Sequence, residues 1–233
     1  MSHIQYTLFR SGTYYYNRRV PNHAIGVYGS HIRQALSSCP VEAEAYATRL
    51  SNVLEASWAS PNNTTPIRWI GMRHADGSTL TQFPKLRPVR ITKDALGQGV
   101  PRQHLFVSRQ HRLLVSSAIA QRLFNGDVLV AAIHLTELPG IFVDESVETV
   151  TYVHLLCDEH EIITAHGARA ESLHLGDQAL RSLSQDALEE IQLLFPEQLD
   201  HHGQKKLLDM IPEGRAQKRL IQEHVAASVP LVS

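Results

Sequence analysis

Three stretches decide the fold. They are Pro66-Ile67-Arg68-Trp69-Ile70-Gly71, Leu86-Arg87-Pro88-Val89-Arg90-Ile91, and Leu105-Phe106-Val107-Ser108-Arg109-Gln110-His111-Arg112-Leu113-Leu114-Val115. Ala95-Leu96-Gly97 stands between the second and the third. Each is a short apolar run, rich in β-branched residues and bounded by glycine or proline, which is the pattern of strands and turns rather than of helices. The pattern continues to residue 165. It predicts strands at 67–71, 87–93, 104–107, 112–117, 127–133, 141–143, 147–157 and 160–165. Asn125-Gly126-Asp127 supplies a tight-turn signal, and Asp158-Glu159 between two apolar runs predicts a hairpin. The expected fold class is therefore mainly β over residues 66–196.

Outward from this region the character changes on both sides. Tyr6-Thr7-Leu8-Phe9 and Tyr14-Tyr15-Tyr16 flank the turn residues Arg10-Ser11-Gly12-Thr13, and Pro21 stops the second strand. A third strand is expected from His31 to Leu36. A helix follows to about Trp58, capped by Ser37 or Ser38, with Pro40 in its first turn. Residues 1–58 thus read as a small three-stranded sheet plus helix (α+β), and the polar cluster at 59–65 reads as a linker. After Gly176, Ser184-Gln185-Asp186-Ala187 opens a helix whose apolar face is Leu188, Ile191, Leu194 and Phe195. Residues 197–233 are polar and charged and are expected to be a loosely docked tail.

Composition narrows the functional classes. The 233 residues carry a formal net charge of −1, which gives no overall electrostatic reason to bind nucleic acid or membrane. Two cysteines, Cys39 and Cys157, cannot make a disulfide framework. With no signal-peptide pattern, they lead to the expectation of a cytoplasmic protein without membrane contact. Among 14 histidines, His201-His202 have no ligand partners at metal spacing, and His154 and His160 flank Asp158 and Glu159 too loosely. No metal and no cofactor are expected, and no small-molecule substrate is evident.

The central words occur in a recognisable order. Arg68-Trp69-Ile70-Gly71, Arg87-Pro88-Val89-Arg90-Ile91, Ala95-Leu96-Gly97 and Val100-Pro101 come first. Ser108-x-x-His111-Arg112-Leu113-Leu114, Val128-Leu129-Val130-Ala131-Ala132 and Tyr152-Val153-His154-Leu155-Leu156 follow, then His160-Glu161-Ile162 and Glu171-Ser172-Leu173. This set resembles the bacterial Hint (Hedgehog/intein) domain over about residues 66–196.

The resemblance implies a mainly β Hint fold and a self-processing chemistry. In that chemistry a first-residue Cys or Ser attacks the preceding carbonyl, converting the amide to an ester or thioester. A Thr-x-x-His element assists at the scissile amide nitrogen, and the requirement is positional. By resemblance, Ser108 and His111 occupy the Thr and His positions. The family's opening strand, with its nucleophile, is absent before Trp69, so the domain is expected to be incomplete and to leave unpaired strand edges. Cys39 precedes Pro40 at a helix start, and Cys157 lies inside an apolar strand. Ser57, Ser60, Thr64 and Thr65 are surrogates by residue type only. No His-Asn end supports full protein splicing.

Residues 8–21, Leu8-Phe9-Arg10-Ser11-Gly12-Thr13-Tyr14-Tyr15-Tyr16-Asn17-Arg18-Arg19-Val20-Pro21, resemble the N-terminal arm of phage-type tyrosine recombinases, as does the later Ile32-Arg33-Gln34-Ala35-Leu36. That resemblance implies DNA contact, for which Arg10, Arg18, Arg19 and Arg33 are the candidate phosphate ligands. Recombinase activity itself is excluded, because no tyrosine follows Tyr152 and His166-x-x-Arg169 stands alone.

The leading expectation is a Hint-domain-containing protein without autoproteolytic activity. Two alternatives stay open. One is a self-cleaving domain assisted by His111, so that any enzyme activity is at most autocatalytic peptide-bond cleavage. The other is a DNA-binding protein acting through residues 1–58.

Overall fold

The computed structural model describes residues 4–59, 67–157, 159–174 and 205–233. The chain divides into two compact units, Met1–Arg68 and Trp69–Ser233. The helix expected at Ser184, the His201-His202 pair and most of the expected linker lie outside the described residues.

The first unit is a sheet with a helix. Strands β1 (Thr7–Arg10), β2 (Thr13–Arg19) and β3 (His31–Ala35) form an antiparallel sheet in the order β1-β2-β3. Ser11 and Gly12 both take left-handed backbone, φ 47° and 80°, so the two-residue turn matches the twist of the strands it joins. A short helix α1 (Ile25–Tyr28) precedes β3, and α2 (Pro40–Trp58) follows it. Ala43, Ala47, Leu50, Leu54 and Trp58 recur at helical spacing on α2 and are buried. Tyr16 of β2 is fully buried and its hydroxyl hydrogen-bonds Ser51 at 2.8 Å. The expected serine cap is not the N-cap of α2; Cys39 is. Ser37 works one step earlier, accepting from the Cys39 amide (3.0 Å) and donating to Glu42 (2.7 Å).

The second unit is mainly β, as expected. Strand β4 (Ile67–Ala75) pairs with β10 (Val150–Cys157). Strands β5 (Val89–Ile91), β6 (Leu105–Val107) and β9 (Ile141–Val143) form a sheet in the order β6-β5-β9. Strands β7 (Arg112–Val115), β8 (Val128–Ala131), β11 (Ile162–Ala165) and β12 (Ala168–Glu171) form another, in the order β11-β12-β7-β8. Gly71 is required by packing, because a side chain there would overlap the Trp69 indole two residues earlier on the same face of β4.

Two local expectations change. The hairpin expected at Asp158-Glu159 is not formed: among the described residues β10 pairs with β4, whereas β11 pairs with β12 across His166-Gly167. Both of those turn residues are left-handed, φ 51° and 88°, which suits a two-residue hairpin turn. His166 and Arg169 are therefore turn and strand residues. The Asn125-Gly126-Asp127 signal marks the end of a helix, α4 (Ala118–Phe124), which Asn125 closes in the left-handed conformation and Ser117 caps through the Ala120 amide. Helix α3 (Gly77–Gln82) lies earlier in the unit.

The expected loose tail is overturned for the described part. Beyond a short helix α5 (Lys205–Leu208), helix α6 (Gly214–Ala227) places Leu220 and Ile221 at 0 % exposure in the same core as Val89, Leu113 and Val130. The charged residues that made this segment read as a solvated tail occupy its other face, where Glu223 pairs with Arg122 and Arg219. The buried His224 accepts the Ser117 hydroxyl at Nε2 (3.0 Å) and donates from Nδ1 to the Val229 carbonyl (2.9 Å). The same segment covers the β8 edge. The Leu129 amide donates to the Met210 carbonyl (2.8 Å) and the Ala131 amide to the Gln217 side chain (3.3 Å). These two amides of the β8 edge are thus satisfied. Leu220→Ala should lower the stability of the protein by about 2–5 kcal/mol in chemical denaturation, the cost of a cavity in a packed core. A loss below about 0.5 kcal/mol, as at surface positions, would return the helix to a loosely docked state.

Candidate functional site

The Ser108-x-x-His111 element forms the connection between β6 and β7. The His111 amide donates to the Ser108 carbonyl (3.1 Å), closing a turn. That turn is held from the other side by two further backbone bonds, from Ala132 to the His111 carbonyl (2.9 Å) and from Ile133 to the Arg109 carbonyl (3.0 Å). Both ends of the turn are therefore fixed by the segment that follows β8. Ser108 and His111 are each half-buried. Among the described residues, the Ser108 hydroxyl makes no hydrogen bond to the His111 ring. The link between the two is through backbone.

What surrounds His111 was not read from the sequence. Glu171, the last residue of β12, is buried and accepts from Arg112 three times. The backbone amide reaches Oε1 at 3.0 Å, and the guanidinium reaches the two oxygens at 3.2 and 3.0 Å. His160 adds a fourth contact at 3.1 Å and stacks on the His174 ring at 5.0 Å. His111 and His154 lie within electrostatic reach of one another, and His111 also senses Glu171 and Arg112. One strand end thus gathers a buried carboxylate, an arginine and several imidazoles. A buried charge needs such partners, because desolvation otherwise disfavours it. The sequence does not signal this: in Ala168-Arg169-Ala170-Glu171 strand alternation puts Glu171 on the face of the exposed Arg169, opposite the buried alanines, and only its partners explain its burial.

These groups set each other's protonation. Burial pushes the His111 imidazole below its ordinary value, Arg112 acts in the same direction, and Glu171 opposes both. His154 is lowered by burial first, then by His111 and Arg73. For Glu171 burial acts upward, but the His160 hydrogen bond together with the nearby Arg112 and His111 outweighs it and holds the carboxyl below the usual range. The centre accordingly contains an ionised carboxylate beside neutral His111 and His154. Neutral imidazole can accept or relay a proton, the property asked of a processing histidine.

The other sequence candidates separate. Cys157 is buried on β10, and Cys39 is the exposed N-cap of α2 in the first unit. Among the described residues no group of three or more His, Cys, Asp or Glu side chains could hold a metal ion. In the first unit the four candidate arginines fall on two faces. Arg10, Arg19 and Arg33 are exposed on one face of the sheet, by the register Arg10↔Thr13, Arg19↔His31 and Asn17↔Arg33. Arg18 points the other way. Its guanidinium lies 4.4 Å from the Tyr6 ring and 4.9 Å from the Trp58 ring, and it pairs with Glu55 at 2.6 Å.

Comparison with known proteins gives two family matches. Residues 58–177 match the Hint domain, and residues 6–63 match a domain of unknown function, DUF6538. No curated protein and no solved structure matches the chain. No helix among the described residues is long and apolar enough to cross a membrane.

The sign of the His111 shift gives a measurable outcome. With its folded value lowered, the unfolded chain takes up the proton first. The stability that a neutral His111 provides is fully present above the ordinary histidine value, about 6.5, and falls as the pH drops below it. Ring-proton NMR should show His111 titrating below that value; a midpoint at or above it would remove the neutral imidazole from the site.

Proposed function

Because the chain belongs to the Hint-domain family, we propose that its second unit is a Hint module that retains the histidine side of a processing centre and does not cleave its own backbone. The observation carrying this reading is the environment of the two thiols. Acyl shift needs a nucleophile beside the scissile carbonyl and within hydrogen-bond reach of its base. Cys157 is 3 % exposed inside a strand, and Cys39 begins a helix with Pro40 behind it, so no peptide strand runs on from it as from a Hint opening residue. Ser117, the other hydroxyl at a strand-to-helix junction, is engaged by His224 and the Ala120 amide. Glu171, with Arg112 and His160, then ties the strands of the fold together beside His111 rather than acting as a catalytic set.

A second reading concerns the first unit and is favoured by its open sheet face. Arg10, Arg19 and Arg33 share that face with the exposed Leu8 and Tyr15. Three cations beside an aromatic ring on one sheet face suit the phosphate backbone of DNA. Arg18 takes no part in this contact; it holds the sheet to α2.

Intact mass of freshly expressed full-length protein, with and without added thiol and beside His111→Ala, tests the first reading. A single unchanged mass in every sample is expected. A fragment pair that appears with thiol and vanishes in His111→Ala would overturn it and make the domain a self-cleaving one. For the second reading, Arg19→Ala/Arg33→Ala should weaken duplex DNA binding and reduce the slope of log K against log salt by about 1.8, from two lost phosphate contacts at about 0.9 each. An unchanged slope would remove DNA from that face.

A further inference from the structure

We propose that residues 229–233 are a strap seated in a peptide-binding groove of the second unit, and that the groove accepts this apolar segment as a separable ligand. One wall of the groove is the Leu96-Gly97 turn, and the other is Ser116, just past the end of β7. The segment binds both walls as an added strand. The Val232 amide donates to the Leu96 carbonyl (2.9 Å), the Ser116 amide to the Leu231 carbonyl (3.0 Å), and the Ser233 amide to the Ser116 carbonyl (3.0 Å). Ser116 and Val232 form a parallel bridge. Main-chain bonds on both sides with alternate side chains entering pockets are the pattern of peptide recognition by strand addition.

The side chains define what the groove selects. Leu231 is 2 % exposed, and Val229 and Val232 pack partly buried against the core. Pro230 rests directly on Gly97, which has φ +101°. Any side chain at Gly97 would overlap the Pro230 ring. The groove is therefore shaped for a branched residue, a proline, a leucine and a second branched residue in succession, and Gly97 is its specificity-determining position.

The manner of attachment makes the segment separable from the helix before it. Helix α6 ends at Ser228 in the left-handed conformation, φ 53°, so the chain turns sharply before the strap begins. Leu220 and Ile221 enter the core from the helix side, and Leu231 enters the same core from the strap. Between the two, the His224 bond to the Val229 carbonyl holds the strap's first residue. Opening about Ser228 gives up the three backbone hydrogen bonds to the groove walls, the two bonds that Val229 makes with His224, and the burial of Leu231.

The test uses the full chain and a fluorescent synthetic peptide of residues 228–233. In Leu231→Asp the strap is expelled and the groove left open, so this variant should bind the peptide saturably in anisotropy. Wild type should bind at least tenfold more weakly, because its own strap occupies the groove. Adding Gly97→Val to Leu231→Asp should abolish binding. In wild type the Val232 amide should also exchange with deuterium at least tenfold faster than the Val130 amide of the sheet, reporting local opening. Equal protection of the two amides, a Leu231→Asp chain that fails to fold, or peptide binding equal in wild type and variant would each overturn the proposal.

Discussion

Glu171 is the constraint on which the second unit depends. Its carboxylate is buried at the end of β12, and a charge in that position is tolerated only when it is paired and hydrogen-bonded. Arg112 meets it with both backbone and side chain, which fixes the start of β7 against the end of β12. His160 meets it from the segment before β11. One anion therefore ties together two strands and a connecting segment, and the turn that carries His111 ends one residue before its arginine partner. The neutral state of His111 follows from the same arrangement, because burial and the adjacent guanidinium outweigh the attraction of the carboxylate.

The remainder of the unit is closed by apolar packing from the distant end of the chain. Leu220 and Ile221 of α6 enter the core that the strands build, and His224 links that helix to the cap of α4 through Ser117. In the relay from Ser117 through His224 the side-chain polar atoms are all bonded. Ser117 donates to His224 and accepts from Ala120, and His224 donates onward to Val229. A fully satisfied network of this kind specifies a single packing, whereas a half-satisfied one would be costly.

Much of the architecture was legible in the sequence because its determinants are local. Trp69-Ile70-Gly71 announced a strand whose glycine makes room for the indole, and Ser11-Gly12 announced a hairpin with left-handed turn residues. Ser108 and His111 could be placed on a strand-connecting turn for the same reason. The features that escaped are non-local. Glu171 and Arg112 are separated by 59 residues, and nothing in either neighbourhood marks them as partners. Arg18 and the solvent-facing Arg19 are neighbours in one strand and so face opposite sides, and which of the two sides is covered is decided by the packing of α2, which the local sequence does not give. The segment after residue 205 misled because lysines, arginines and glutamates outnumber its buried residues, although Leu220, Ile221 and His224 lie on one helical face.

The late position of Leu220 and Leu231 also sets the order of events during synthesis. All the described strands of the second unit have left the ribosome once Glu171 has emerged, yet its core lacks α6 and the β8 edge lacks its covering residues until much more chain has followed. Through that interval the sheet carries exposed apolar surface and an open edge, the state most prone to wrong pairing with other nascent chains. The first unit has no such delay: its helix follows its sheet directly, and it can finish folding while the second is still being made. The protein is thus assembled in two stages with unequal exposure to misfolding, and the vulnerable stage ends only when its last buried leucine arrives.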